Sequence, residues 1–246
     1  MGVLLTVSYD GTNYCGWQKQ KNGVSVQETL TNAIANVFDC DYTLLGASRT
    51  DAGVHALGQR AHMVSAGPCK VPLDKLPQVL NACLPPDIRI TEAIDVPDSF
   101  HPINGAKSKT YRYAINNARY QNPLMRNFSA FVYMPLDVSK MAAAARPFIG
   151  EQDFAAFCAS GSSVKSTVRT IYALDVTKCG ETIEITINGN GFLYNMVRII
   201  AGTLVDVGTD KICPDDIPAI IASRDRARAG KTMPPQGLTL MQIYFD

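Results

Sequence analysis

One polar segment between two apolar runs carries residue types that catalysis commonly uses. Residues 46–59 read GASRTDAGVHALGQ and place Arg49 two positions before Asp51. A carboxylate beside a cation, on a loop held by rigid strands, is a good candidate for nucleophilic or acid–base chemistry. A second interpretation stays open on these residues alone. In it, Asp51 only accepts backbone hydrogen bonds in an Asx turn and Arg49 is solvated.

Other catalytic and cofactor-binding motifs are matched only in part. Residues 230–232 read GKT like the end of a phosphate-binding loop, but Asp225 stands where the first glycine belongs, so an ATP-dependent enzyme is a poor fit. Residues 189–191 begin like a dinucleotide fingerprint, but Tyr194 takes the third glycine position. The 3 histidines show no metal-ligand spacing. We therefore expect no metal and no cofactor.

The composition limits the setting in which the chain works. The 7 cysteines in 246 residues include no closely spaced pair, which indicates a reducing, cytoplasmic compartment rather than a disulfide scaffold or redox pair. No uncharged apolar run reaches the length of about 18 residues that a membrane span needs, so we expect no membrane partner. The net charge of +1 gives no global attraction for nucleic acid, which by itself argues against such a substrate.

Hydrophobic periodicity predicts two similar halves. In the first, strands over 3–9, 43–47, 59–65 and 88–96 alternate with helices over 26–37 and 73–84, and Ser25 with Glu28 forms a capping box. In the second, strands over 107–115, 130–133, 167–177, 182–188 and 238–245 are interspersed with helices over 137–149 and 191–207 and a shorter one after Pro214. Both halves fit the order βαββαβ. We expect an α+β protein of two tandem ferredoxin-like subdomains with mixed or antiparallel sheets, residues 1–104 and 105–246.

The 46–59 loop closely resembles the catalytic motif of the tRNA pseudouridine synthase A (TruA) family, in which the aspartate of RTDAGVH is the catalytic residue. Five more segments resemble that family in family order, namely YDGTNYCGWQ at 9–18, SVQE at 25–28, KTYRY at 109–113, GFLYNMVR at 191–198 and GLTL at 237–240. The resemblance covers essentially the whole chain. One departure is Ser48, where the family more often has glycine.

The resemblance implies the pseudouridine synthase fold with a central active-site cleft, and a reaction that converts uridine to pseudouridine at positions 38, 39 and 40 of the tRNA anticodon stem-loop. It assigns Asp51 as the nucleophile that holds a covalent intermediate on a flipped-out uridine. By the same resemblance Arg49 helps to extrude the uridine and Arg198 pairs with the aspartate. Tyr111 stacks on the flipped base, and Leu238 lines the pocket. Core packing is the alternative role for Tyr111 and Leu238. For Arg198 the alternative is a helix residue that snorkels between Met196 and Ile199.

The resemblance also implies a homodimer whose two subunits both contact the tRNA. Basic residues occur in local groups that could bind its phosphates: Lys19 and Lys21; Lys107, Lys109 and Arg112; Arg119 and Arg126; Lys165 and Arg169; Arg224, Arg226, Arg228 and Lys231. We expect the catalytic loop in the first subdomain, and RNA binding and dimerisation in the second. Two alternatives remain, a tRNA-binding or folding module without catalysis and a synthase with a different choice of uridines.

Overall fold

A computed structural model of the chain describes residues 1–67, 71–161 and 164–245, so Cys69 lies outside the described residues. It divides into two compact units, Met1–Lys107 with the residues from Thr239 onward, and Ser108–Leu238. The sequence predicts the last strand as part of the second half, whereas its residues from Thr239 onward belong to the first unit. This strand pairs in parallel with the third strand of the first unit, Thr239 opposite His55. The functions assigned to each half stay predictions.

The first unit has the βαββαβ order that the sequence predicts. Its elements are β1 (Gly2–Tyr9), α1 (Val26–Ala35), β2 (Tyr42–Gly46), β3 (His55–Ser65), α2 (Leu76–Ala82) and β4 (Ile88–Val96). Strand β1 pairs antiparallel with both β3 and β4, and β2 pairs antiparallel with β3. The spatial order β4-β1-β3-β2 is that of a ferredoxin-like sheet. The final strand of the chain, Leu238–Tyr244, shares with β2 the remaining edge of β3.

Local sequence signals explain where the helices of this unit begin and end. The Ser25 hydroxyl accepts a hydrogen bond from the Glu28 N–H at 3.2 Å, which confirms the predicted cap of α1. The second helix is shorter than the predicted 73–84. It begins at Leu76, so Pro77 falls in its first turn. Proline is tolerated there because an N–H in the first turn has no partner within the helix.

The second unit is built on four antiparallel strands in the order β5-β9-β8-β7. Its elements are β5 (Ser108–Asn116), β6 (Ala130–Phe131), α3 (Val138–Ala145), β7 (Gly150–Asp153), β8 (Val168–Cys179), β9 (Thr182–Gly189), α4 (Met196–Gly208) and α5 (Ile217–Ser223), followed by β10 (Leu238–Tyr244), which crosses into the first unit. Short 3₁₀ turns cover Arg146–Phe148, Ala155–Phe157, Pro214–Asp216, Arg226–Arg228 and Pro235–Gly237.

Several features of this unit differ from the sequence prediction. Helix α4 begins at Met196 instead of residue 191, directly after Asn195 with its left-handed backbone. Helix α3 is capped by Asp137 as predicted, but it gives way to a 3₁₀ turn at Arg146 instead of running to Ile149, because Pro147 has no N–H to continue the helix. The sequence does not predict strand β7. The β8–β9 hairpin is confirmed, with Gly180 at a φ of 58° in the turn. The mixed α+β class with mostly antiparallel pairing is also confirmed. No helix among the described residues is long and apolar enough to cross a membrane.

Candidate active site

Asp51 lies on the loop that joins β2 to β3. This loop is shorter than predicted, because β3 begins at His55 and not at the predicted Gln59. The Asp51 carbonyl accepts a hydrogen bond from the Val54 N–H at 3.1 Å, which closes a tight turn around the aspartate. The residue is half-buried, while its neighbour Thr50 is buried. A half-buried carboxylate in a fixed turn can face a substrate and still be partly shielded from water.

The side chain of Gln59 holds the start of this loop. Its Oε1 accepts a hydrogen bond from the Ser48 N–H at 3.2 Å, and its Nε2 donates to the Ser48 carbonyl at 2.7 Å. Gln59 is completely buried. One residue earlier, the Ala47 N–H donates to the Arg60 carbonyl at 2.7 Å. The segment that leads to Asp51 is therefore bonded to β3 through three hydrogen bonds.

The segment that follows β1 supports the loop from another direction. The Trp17 N–H donates to the Thr50 carbonyl at 3.0 Å, and the Gly53 N–H donates to the Tyr14 carbonyl at 3.3 Å. Gly16 has a φ of +106°, and a Cβ there would lie 2.5 Å from the Thr50 carbonyl oxygen. Only glycine allows so close an approach with that backbone conformation. The chain is thus fixed by backbone contacts on both sides of Asp51.

Buried side chains complete the support of this loop. The Tyr9 and Thr50 hydroxyls form a hydrogen bond of 2.7 Å. The Trp17 ring is buried and packs so closely on Gly46 that a Cβ at residue 46 would collide with the indole. Polar groups that are buried and fully bonded rigidify the loop that they hold.

Arg49 differs from its neighbours in being exposed. Its Nη1 donates to the Gln18 Oε1 over a long 3.4 Å. The structure therefore places the guanidinium on the surface of the loop, two residues from Asp51, where it can meet a substrate phosphate or base.

Tyr111 lies on β5 in the second unit. Its ring is 6% exposed and meets the Phe192 ring edge to face, with centroids 5.2 Å apart. Tyr113, two residues along the same strand face, is completely buried, and its hydroxyl donates to the Pro234 carbonyl at 2.7 Å. Burial raises the pKa of the Tyr113 phenol, and the positive charge of Arg198 opposes that rise.

Arg198 lies in the first turn of α4 and is half-buried. Its Nε donates to the Met233 carbonyl and its Nη1 to the Asn195 Oδ1, both at 2.7 Å. Asn195 itself has a left-handed backbone, with a φ of 59°, at the start of the helix. These bonds fix the direction of the guanidinium. Leu238 is 6% exposed and opens the last strand after the 3₁₀ turn Pro235–Gly237.

The predicted site residues thus fall into two sets. Arg49 and Asp51 share one loop of the first unit, whereas Tyr111, Arg198 and Leu238 belong to the second. Within the second unit, Arg198 and Tyr113 both bond to the segment 233–234, which leads directly to Leu238. The convergence of the two sets on one substrate remains a proposal.

Comparison with known proteins settles the family. A family model described as "tRNA pseudouridine synthase" matches residues 5–103 and 144–246. Proteins named tRNA pseudouridine synthase A are similar over 99% of both chains, at 51% identity in Thermoanaerobacter sp. (strain X514), 50% in Ruminiclostridium cellulolyticum and 46% in Caldicellulosiruptor bescii. The chain belongs to the tRNA pseudouridine synthase family. The predictions that it has the fold of this family and is an enzyme of the isomerase class are therefore confirmed.

A solved structure titled "Crystal Structure of a Cbf5-Nop10-Gar1 Complex" is also similar. The match covers 97% of this chain and 48% of the chain in that structure. It has 11% sequence identity and a TM-score of 0.41, a likeness too weak to add to the family assignment.

The residues that resemble a phosphate-binding loop have a structural role in this family member. The Gly230 N–H donates to the Thr203 Oγ1 at 2.9 Å, so the 230–232 segment packs directly on helix α4. A Cβ on Gly202 would collide with the Lys231 carbonyl. The glycines therefore serve close packing between segments. Among the described residues, no group of three or more His, Cys, Asp or Glu side chains could hold a metal ion.

Several of the basic residues predicted to contact RNA have partners within the protein. Arg112 and Arg224 form ion pairs with acidic side chains, Glu184 at 3.2 Å and Asp153 at 3.0 Å. Arg226 donates to the Gly230 carbonyl at 2.9 Å and is part of the packing of that turn. These three side chains are weaker candidates for phosphate contacts than the sequence groups indicate.

The sequence does not single out the residues that hold the Asp51 loop. Gln59, Tyr9 and Gly16 all occur in segments that resemble the family, but the resemblance assigns them no role. One signal is present in the sequence, because glycines directly beside Trp17 and before Ala47 indicate close backbone approach. The partner of each glycine cannot be read from the sequence.

Proposed function

We propose that this chain converts uridine to pseudouridine at positions 38, 39 and 40 of the tRNA anticodon stem-loop. The reaction breaks the bond from uracil N1 to ribose C1′, turns the base and rejoins it to C1′ through C5. The C5 proton is lost and N1 gains a proton, so substrate and product are isomers. No electrons enter and no group is donated, so the reaction needs no cofactor. Family membership and the geometry of the Asp51 loop support this proposal.

Asp51 is the proposed nucleophile, and the fixed loop around it is the observation that carries the proposal. A nucleophile must be held within a fraction of an ångström of its productive position by groups that are themselves locked. Ser48 and Thr50 before the aspartate, and Gly53 after it, are each held by the hydrogen bonds described above. Attack on the ribose C1′ and attack on the uracil ring are both consistent with this role, because each gives a covalent intermediate.

The other site residues complete the pocket in this proposal. A uridine in a stem must be flipped out before a carboxylate can reach it, and an aromatic face offsets part of the lost stacking. Tyr111 supplies that face and Leu238 an apolar wall. Arg49, exposed beside Asp51, steadies the extruded nucleotide. Arg198 pairs with the aspartate and keeps it ionised, and its bonds to Met233 and Asn195 support a fixed direction for that pairing.

We further propose a cytoplasmic homodimer whose two subunits both contact the tRNA. The cytoplasmic location is supported by the six described cysteines, all of which are free, since free thiols persist in a reducing compartment.

The experiment that tests this function maps pseudouridines in tRNA from cells that lack the gene, complemented with the wild type or with Asp51→Ala. We expect positions 38, 39 and 40 to be modified with the wild type and unmodified with the variant. If the wild type modifies other positions, the assignment of positions 38, 39 and 40 is wrong and the synthase activity stands. A purified wild-type protein that binds tRNA and forms no pseudouridine supports the alternative of a binding module.

A further inference from the structure

The connection between β5 and β6 carries a second group of exposed side chains, none of which is assigned to the reaction. We define the 119–126 surface by its exposed side chains Arg119, Tyr120, Leu124 and Arg126. Tyr120 is 73% exposed and Leu124 82% exposed, so both side chains are accessible to a partner. The family model matches residues on either side of this segment and not the segment itself.

The backbone of this segment is ordered although its side chains are exposed. The Asn122 N–H donates to the Oδ1 of Asn116 at 3.1 Å, and the Asn116 side chain is buried. The Leu124 N–H donates to the Asn122 Oδ1 at 3.0 Å, and the Met125 N–H to the Asn122 carbonyl at 3.0 Å. Because the backbone of this loop is already fixed, binding costs only the entropy of ordering its side chains.

The chemistry of the 119–126 surface is cationic and aromatic. The Arg119 guanidinium lies over the Tyr120 ring, 5.3 Å from its centroid. No Asp or Glu occurs anywhere in residues 117–136. Arginines interleaved with an exposed aromatic ring are suited to a nucleic acid strand, because the arginines contact phosphates and the ring stacks on a base.

A second copy of the chain is a poorer occupant. In a two-fold symmetric contact centred on this segment, each residue faces a residue of the same segment in the second copy, so Arg119 and Arg126 would need carboxylates within it. The segment contains no carboxylate to neutralise them. Charge complementarity therefore favours a polyanion.

We propose that the 119–126 surface is a second tRNA contact, in which Tyr120 stacks on an unpaired base and Arg119 and Arg126 bind flanking phosphates. The inference rests on the proposed function, since it names a further contact with the same substrate. It concerns binding of the tRNA body, so it affects affinity and leaves the chemical step alone.

The test measures the affinity of purified full-length protein for unmodified tRNA over a series of salt concentrations. In the double variant Arg119→Gln and Arg126→Gln, we expect the affinity for tRNA to fall about tenfold or more. The slope of log K against log salt should become shallower by about 2. Tyr120→Ala should weaken binding about tenfold with an unchanged slope, because it removes stacking and no charge. The rate at saturating tRNA should equal that of the wild type in all variants.

Matched controls come from exposed residues of β8 in the same unit. Lys178→Gln and Tyr172→Ala should leave both the affinity and the salt slope unchanged. The double variant Arg119→Lys and Arg126→Lys, which keeps both charges, should retain the salt slope. Variants of the 119–126 surface that bind like these controls overturn the inference. So does a change from dimer to monomer measured by light scattering, which would assign the surface to a second copy. A wild-type protein that binds tRNA and forms no pseudouridine refutes the proposed function instead.

Discussion

The buried amide of Gln59 bonds to both backbone polar groups of Ser48, accepting from its N–H at 3.2 Å and donating to its carbonyl at 2.7 Å. Ser48 lies three residues before Asp51, so this pair connects the proposed nucleophile to the rigid strand β3. The proposed role of Asp51 requires that connection, because a nucleophilic carboxylate that moves by an ångström loses much of its effective concentration.

Replacing Gln59 with Leu should therefore affect both stability and turnover. It removes both hydrogen bonds from the Gln59 amide to the Ser48 backbone, at about 1–3 kcal/mol for each bond. We expect a lower urea midpoint and a fall in kcat that exceeds any change in KM. Gln59→Glu keeps an acceptor for the Ser48 N–H and should fall between Leu and the wild type. Gln242→Leu, at an exposed position of β10, is the control. Equal loss of kcat in the Gln242 variant would contradict the positioning role.

Gly16 offers a test of how closely the loop is held. Gly16 and Gly150 have nearly the same φ, +106° and +108°, but a Cβ would meet the Thr50 carbonyl only at Gly16 and nothing within 4 Å at Gly150. Alanine at either position should cost about 1–3 kcal/mol for the left-handed backbone. Only Gly16→Ala should also displace Thr50 and lower turnover, which we expect to fall at least tenfold. Wild-type turnover in Gly16→Ala would show that the loop tolerates displacement.

Arg49 and Arg198 should respond differently to truncation. Arg49 is exposed, with one long contact to Gln18, so Arg49→Ala should leave the melting temperature unchanged while kcat/KM falls about a hundredfold. Arg198→Ala removes bonds to Met233 and Asn195 and should lower both the melting temperature and the activity. Melting curves and turnover of the two variants check this. A loss of stability in Arg49→Ala would assign that residue a structural role.

Lys109 gives a prediction about pH. Burial lowers the pKa of its ammonium from 10.5 to about 8. Below pH 8 the ammonium is charged in both the folded and the unfolded state. Between about pH 8 and 10.5 the folded state has released the proton and the unfolded state has kept it, so stability rises with pH in that window. The wild type should therefore gain stability relative to Lys109→Met between about pH 8 and 10.5, because the variant has no group that titrates in that window.

Urea unfolding of both proteins at several pH values measures the Lys109 effect. Lys178→Met, at an exposed position, is the control and should show no such trend. A constant difference between Lys109→Met and the wild type from pH 7 to 10.5 would mean that the lysine charge is solvated.

Much of the fold follows from the sequence because its signals are local. The alternating Ile183, Ile185 and Ile187 predict a half-buried strand, and all three are buried in β9. Caps at Ser25 and Asp137 start helices as predicted. Prolines account for two differences between the predicted and the observed helices, since α2 begins later, with Pro77 in its first turn, and α3 ends before Pro147. Strand β7 has no signal of its own, because GEQD carries no alternation of apolar residues.

The site divides in the same way between local and distant information. The composition of the 46–59 loop and its resemblance to a family motif single out Asp51 and Arg49. The contacts that fix the loop come from residues far along the chain, such as Tyr9 on Thr50. The sequence groups of basic residues give no sign that Arg224 pairs with Asp153. Such pairings depend on tertiary geometry, which periodicity and spacing do not contain.

The Asp51 carboxylate, as the proposed nucleophile, is the group on which the function depends most directly. The sharpest test is pseudouridine formation in unmodified tRNA by purified Asp51→Asn, which keeps the size of the side chain and removes its charge. We predict a loss of turnover of about 10³-fold or more with unchanged tRNA affinity, whereas Asp95→Asn, at an exposed position of β4, behaves as the wild type. Turnover of Asp51→Asn near that of the wild type would contradict a nucleophilic role for this carboxylate.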